Sequence, residues 1–299
     1  MMRKFSLTLV LCGALLLSAS IALAGGGHYG VSGEGYRVGS LPPEGNLYKM
    51  YNIYYNSGSY RDDNGDKVKG TNNVDSFTQM HRFLINTNQK LFGANWFVNI
   101  AVPLKWTRMS GSMTGRGDRD RWGLGDVAFS PFLLGWNFEK FDLIADVLLY
   151  VPVGDYDKKR AESTGSGFWS ILPSIGGTFY FDDAKSANFS TVLRYEFNTT
   201  KRSTEQRFGD NVVWEWALGK TFSNNIDLAL TGGSVWQVTD SHGFGAANNN
   251  YSRKHIIGPE IGYTVPEWAM NFNLRCLKEY GVRNGTDGYM TTFSIVKMF

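Results

Sequence analysis

Between Phe141 and Val151 the chain alternates: Phe141, Leu143, Ala145, Val147, Leu149 and Val151 share one parity, and Asp142, Asp146 and Tyr150 share the other. A period of two marks a strand with two unlike faces. Just upstream, Val127, Phe129, Pro131 and Leu133 oppose Asp126, Ala128 and Ser130, with Phe132 and Leu134 blurring the split. Residues 137–140 suffice for a tight reversal, so 123–157 reads as a hairpin with one apolar face. About ten residues per strand matches the height of a tilted strand crossing a bilayer.

The pattern recurs along the chain. Strands are expected at 46–56, 74–86, 95–106, in the hairpin just described, and at 168–181, 187–198, 210–222, 226–238, 253–265, 268–280 and 288–299. In the third, Trp96, Val98, Ile100, Val102, Leu104 and Trp106 form an unbroken apolar parity with tryptophan at both ends, as two interfacial belts would produce. Pro131 and Pro173 interrupt ladders, so bulges are expected at both. The connections alternate long and short, and both chain ends fall on the short-turn side. The expected fold is all-β: a transmembrane antiparallel β-barrel of about twelve strands, with short periplasmic turns and long extracellular loops.

Composition changes the picture at the N-terminus. Arg3 and Lys4, an apolar run from 5 to 23 and the Ala22-Leu23-Ala24 site read as a cleavable secretory signal over 1–24. Residues 25–45 are glycine-rich and aperiodic, a leader expected as a flexible periplasmic arm in preference to a plug tucked into the barrel mouth. The barrel itself spans 46–299. Without Arg3 and Lys4, 28 basic side chains face 27 acidic ones, so nucleic acid is not an expected partner. Cys276 is the sole cysteine after the signal, which rules out an intramolecular disulfide.

Candidate chemistry is sparse. The four histidines, His28, His81, His242 and His255, have no serine and carboxylate at a spacing that suggests a triad. GxSxG, HExxH and phosphate-loop motifs are missing. The Asp62-Asp63-Asn64-Gly65-Asp66 run lacks the downstream glutamate of a calcium loop and reads as a solvated turn. No catalytic residue, metal or cofactor is therefore expected. The informative residues are charges on the parity opposite the apolar one: Lys105, Asp126, Asp142, Asp146, Arg194, Glu196, Glu215, Glu260, Arg275 and Glu279. On a lipid face each would cost about 2 to 4 kcal/mol near midplane, so all are expected to face the lumen. There they either select a solute or pair across the barrel, pairing being favoured for any one residue. Asp126, Asp142 and Asp146 make a candidate acidic patch. Lys297 breaks the last strand's apolar parity at a position where it can snorkel to the interface.

With these residues laid out, the chain resembles the outer-membrane family of the "MetA-pathway of phenol degradation". The likeness rests on LPPEGNLYKMYNIYYNSG, GLGDVAFSPFLLGW, YVPVGDYD, FWSILPSIGGTFYF, RYEFNTT, GDNVVWEWALGKTFSNN, WQVTDSHG and GPEIGYT. The resemblance implies a barrel that helps aromatic or other poorly permeant compounds across the outer membrane, and it carries over no catalytic residues. The expected function is a channel or facilitated-diffusion transporter for small hydrophobic or aromatic compounds. The alternative is a structural or adhesive barrel acting through its extracellular loops. Expected partners are outer-membrane lipid, a small-molecule solute and, through the last strand ending in Phe299, the barrel assembly machinery.

Overall fold

The computed structural model describes residues 26–70, 72–111, 117–201, 203–243 and 251–299. The expected signal peptide lies outside the described residues. Thirteen strand segments form one sheet. Two of them, Arg119–Leu124 and Val127–Asn137, pair with the same neighbour and are the two arms of one strand, so the barrel has twelve. In chain order these are β1 (Leu47–Arg61), β2 (Asn72–Leu91), β3 (Ala94–Gly111), β4 (the two arms), β5 (Phe141–Val151) and β6 (Ser170–Tyr180). There follow β7 (Ala187–Asn198), β8 (Asn211–Thr221), β9 (Ile226–Gln237), β10 (Arg253–Val265), β11 (Met270–Arg283) and β12 (Gly285–Met298). Each strand pairs antiparallel with its neighbour in sequence, and β1 also pairs with β12, Leu47 opposite Met298 and Arg61 opposite Gly285. Closure leaves no edge with unpaired backbone groups, which a bilayer requires.

The alternation predicts the two faces. In β5, Phe141, Leu143 and Val147 are exposed on the outer surface, whereas Asp142, Ile144 and Leu148 are buried inside. Aliphatic side chains such as Val147, Ile175 and Leu193 occupy the middle of the outer surface. Trp122, Trp169, Tyr280 and Tyr289 are exposed towards the long-loop end, and Phe141, Phe179, Phe181, Tyr263 and Trp268 towards the short-turn end. This is an apolar band between two aromatic girdles. Lys297 sits at the short-turn rim, where its ammonium donates to the Trp268 carbonyl.

Several boundaries differ from expectation for local reasons. β1, β2 and β3 run beyond the apolar pattern, with Asn72 opposite Gly111, because pairing of polar residues continues above the lipid-facing zone. A one-residue connection at Asn284, whose φ is 48°, replaces the expected long loop at 281–287. There Arg283 remains paired with Arg253, Gly281 lies in the register shift just before it with a φ of 58°, and asparagine tolerates the left-handed turn. Pro131 lies in a register shift between Phe129 and Phe132, as its missing N–H demands. Pro173 does not produce the expected bulge. It faces Val147 in an unshifted register, and its ladder to β7 lacks only the bonds near the ring. At the β6–β7 turn, the Asp182 carboxylate accepts from the amides of Ser186 and Ala187, both at 2.8 Å.

Candidate functional site: the lumen and its leader

Residues 26–45 contain no regular secondary structure, yet they do not form an arm outside the barrel: they run through its interior. At the short-turn end the Asn46 amide donates to the Phe299 carbonyl at 3.1 Å. Asn137 Nδ2 then donates to Leu41 O at 3.1 Å, and the Gly39 amide donates to Ser190 Oγ at 2.7 Å. Higher up the lumen, the Tyr36 amide meets Glu260 at 3.0 Å and the Gly33 amide meets Glu215 at 2.9 Å. The amides of Tyr29 and His28 both donate to Glu196, at 3.1 and 2.6 Å. Last, His28 Nε2 lies 2.9 Å from Asp126 Oδ2.

An aperiodic segment buried in a lumen has amides that no ladder satisfies, and unmade bonds are costly. The wall supplies them a staircase of carboxylates. Glycine is needed on several of its steps for closeness of approach, Gly35 beside the Glu260 carboxylate among them. A Cβ on Gly27 would collide with the Glu196 carboxylate, and one on Gly39 with the backbone of Gly177.

Five of the ten expected lumen-facing residues form ion pairs with an arginine, a lysine or a glutamate. Arg194 lies 3.3 Å from Glu215, Arg275 3.2 Å from Glu260, and Lys254 2.6 Å from Glu279, all six buried. Glu279 also accepts from Tyr55 OH at 2.8 Å and the Gly288 amide at 2.7 Å. At Glu279 these further bonds offset part of the cost of desolvating the pair. Asp126, Asp142 and Asp146 do not form one patch. Asp142 is buried near the short-turn end, where Tyr180 OH donates to it at 2.6 Å; Asp146 lies four residues further along β5; Asp126 sits at the break in β4. The hairpin spreads these residues along the barrel axis, because same-face residues on a strand climb rather than cluster.

Asp126 ties three parts together. Besides His28, its carboxylate accepts from the amides of Gly154 at 2.9 Å and Ser166 at 2.7 Å, in the loop after β5. That loop folds over the long-loop mouth, with Glu162, Ser163 and Thr164 buried. A Cβ on Gly154 would stand 2.7 Å from Gly165 Cα and 2.8 Å from Gly125 C, so the GLGD and VGDYD stretches touch backbone to backbone.

His28 Nδ1 is 2.6 Å from Ser170 Oγ, so folding brings serine, histidine and aspartate together although their spacing in sequence gives no sign of it. The Ser170 hydroxyl donates to Asn198 Oδ1 at 2.6 Å and the serine is fully buried. Held by both His28 and Asn198 at 2.6 Å, the serine fastens the leader's tip to the wall.

The leader's wall contacts are mostly with β6 to β11. On the side of β1 to β5 there remains a cavity of about 410 Å³. Its lining extends from Leu47, Leu84 and Val296 at the short-turn end to Thr164 and Ser166 at the long-loop end. Ile53, Tyr55, Met80, Leu148 and Tyr150 give it apolar walls, and Lys49, Arg82, Lys105, Arg194, Glu34, Asp126 and Asp146 bring charge to it. Glu34 of the leader accepts from Arg82 at 2.5 Å and from Tyr51 OH at 3.0 Å.

Sequence reasoning passed over Lys254 and Arg82, although parity was the available signal: Lys254 shares a face with Ile256 and Glu260, and Arg82 with Met80 and Leu84. Nothing in sequence marks His28, Tyr29 and Glu34, because the leader has no period.

Comparison with known proteins agrees with this architecture. No curated protein sequence matches. An outer membrane channel from Pseudomonas putida F1 superimposes with a TM-score of 0.78 at 15% identity, over 91% of this chain and 100% of that one. The β domain of the Bordetella autotransporter BrkA superimposes with a TM-score of 0.53 at 9% identity, over 86% of this chain and 100% of that one. At these identities the likeness concerns the fold: a closed barrel of the bacterial outer membrane. A family model covers residues 57–295, and the chain belongs to the family described as "Putative MetA-pathway of phenol degradation".

Proposed function

We propose that the protein is an outer-membrane channel that lets small hydrophobic or aromatic compounds diffuse through its lumen, with the leader as a resident constriction. The observation that carries this reading is the cavity of about 410 Å³ beside the leader, whose lining residues reach both ends of the barrel. A cavity of that size suits a one-ring solute, and its walls are largely apolar with a few placed polar groups. A leader pinned at both ends narrows the passage without filling it. The similar outer membrane channel and the family's link to phenol degradation support the same reading. The last strand, whose Phe299 ring is 72% exposed, is the element we assign to recognition by the barrel assembly machinery.

Single-channel recording in planar bilayers, paired with phenol uptake by porin-deficient cells expressing the full chain, tests the function. Small unitary currents that phenol interrupts reversibly, together with faster uptake, are expected. Barrels shown to be folded by heat-shifted gel migration that neither conduct nor raise uptake would refute it.

A further inference from the structure

We propose that Lys105 is the anion-binding group of a solute subsite, and that the solute it selects is a small aromatic carboxylate. This rests on the channel reading above. Of the basic side chains that line the cavity, four hold an oxygen of the protein. Arg37 donates to the Lys185 carbonyl at 3.0 Å, Lys49 to the Glu34 carbonyl at 3.1 Å and Arg82 to the Glu34 carboxylate at 2.5 Å, while Arg194 lies 3.3 Å from Glu215. Lys105 lines the same cavity and has neither a hydrogen bond nor an ion pair among the described residues. A cation inside a protein is ordinarily paired, so an uncommitted one in a solute-sized cavity is a ready site for an anion.

The nearby acids do not supply that anion. Asp126 acts on Lys105 through its field but forms no ion pair with it: its Oδ1 accepts from the Gly154 amide, and its Oδ2 is held by His28 and the Ser166 amide. Asp146 faces Leu133, which faces Phe97 on β3, eight residues from Lys105 and therefore roughly 26 Å away along the strand.

The surroundings define what the anion carries. Lys105 stands on one rung with Thr78 of β2 and Ile53 of β1, all three lining the cavity. One inward step towards the short-turn end come Met80 and Pro103, and one step the other way Tyr55 and Ser76. Thr78 and Ser76 bring hydroxyls to this part of the lining, and a thioether, a proline ring and a phenol ring bring flat apolar surface. Methionine sulfur and aromatic faces favour an aromatic body. A carboxylate on Lys105 gives a charge-assisted hydrogen bond, and the ring beneath it displaces water from apolar walls.

The test titrates the detergent-solubilised full-length barrel calorimetrically with benzoate and with its neutral isostere benzamide. The wild type is expected to bind benzoate at least about tenfold more tightly than benzamide, as one charge-assisted hydrogen bond allows. Lys105→Met and Lys105→Gln are expected to lose that preference while benzamide binding stays within about twofold, and Lys105→Arg to keep it. Equal binding of the two ligands by wild type, or benzoate binding by Lys105→Gln as tight as by wild type, overturns the assignment even where the barrel conducts. Because the titration needs no membrane, a barrel that binds benzoate but passes no current refutes only the channel reading.

Discussion

Replacing Glu215 with glutamine keeps the shape of the side chain and removes its charge. In the native barrel this carboxylate accepts from Tyr29 OH at 2.7 Å and the Gly33 amide at 2.9 Å, and it lies 3.3 Å from Arg194. The side chains of Arg194 and Glu215 are 7% and 2% exposed, so neither charge is stabilised by bulk water. Converting two charge-assisted hydrogen bonds into neutral ones costs about 1 kcal/mol each. Leaving Arg194 buried without its anion costs about 3 to 5 kcal/mol. Arg194 also lines the cavity, which lets water reach part of it and favours the low end, for a total of about 5 kcal/mol.

The companion variant Glu215→Gln/Arg194→Met no longer strands a charge and should recover all but about 2 kcal/mol, the weakened leader bonds. Equilibrium unfolding in urea from lipid vesicles, followed by tryptophan fluorescence, reads both. A single variant within about 1 kcal/mol of wild type, or a double variant no more stable than the single, would refute the claim that this buried pair holds the leader.

Two further outcomes are expected. Gly154→Val introduces a branched side chain where even a Cβ meets the backbone of Gly165 and Gly125 at 2.7 to 2.8 Å, so the loop should undock. Trypsin added to proteoliposomes should then cut at Lys158, Lys159 or Arg160 about tenfold faster than in wild type, and an unchanged rate would contradict the packing described. At the β6–β7 turn the amides of Ser186 and Ala187 hold the Asp182 carboxyl below its ordinary range. Since the folded value lies below the unfolded one, the stabilisation is full above about pH 4 and is lost as pH falls through the folded value. The protection of those two amides, taken relative to the intrinsic exchange rate at each pH, should fall on acidification, and Asp182→Asn should remove that pH dependence.

Parity revealed the wall and its limits explain what was missed. A strand with lipid on one side and a lumen on the other must alternate, so Phe141 to Val151 disclosed its own faces and placed Asp142 and Asp146 inside. The same rule reached Lys254 and Arg82, but a mixed pattern in β2 and a strand boundary in β10 hid them. The outer extensions of β1 to β3 were illegible because, above the lipid, polar residues pair as well as apolar ones. The leader was illegible for a deeper reason. Its glycines are as compatible with solvent as with close approach to Glu196 or Gly177, and only the partners, far away in sequence, decide between these. The meeting of Ser170, His28 and Asp126 is of the same kind.

The leader's course also constrains how the protein is made. Gly33, Tyr29 and Tyr36 are near the start of the chain, yet their wall ligands lie 167 to 224 positions later. The residues synthesised early thus wait for partners synthesised late, and the seam between β1 and β12 closes around them. Contacts of such sequence separation form slowly. Seating of the leader is therefore expected as a late event in biogenesis, after Glu260 and Arg275 have entered the sheet. A folding intermediate with a complete wall and an unthreaded leader is the species expected to accumulate.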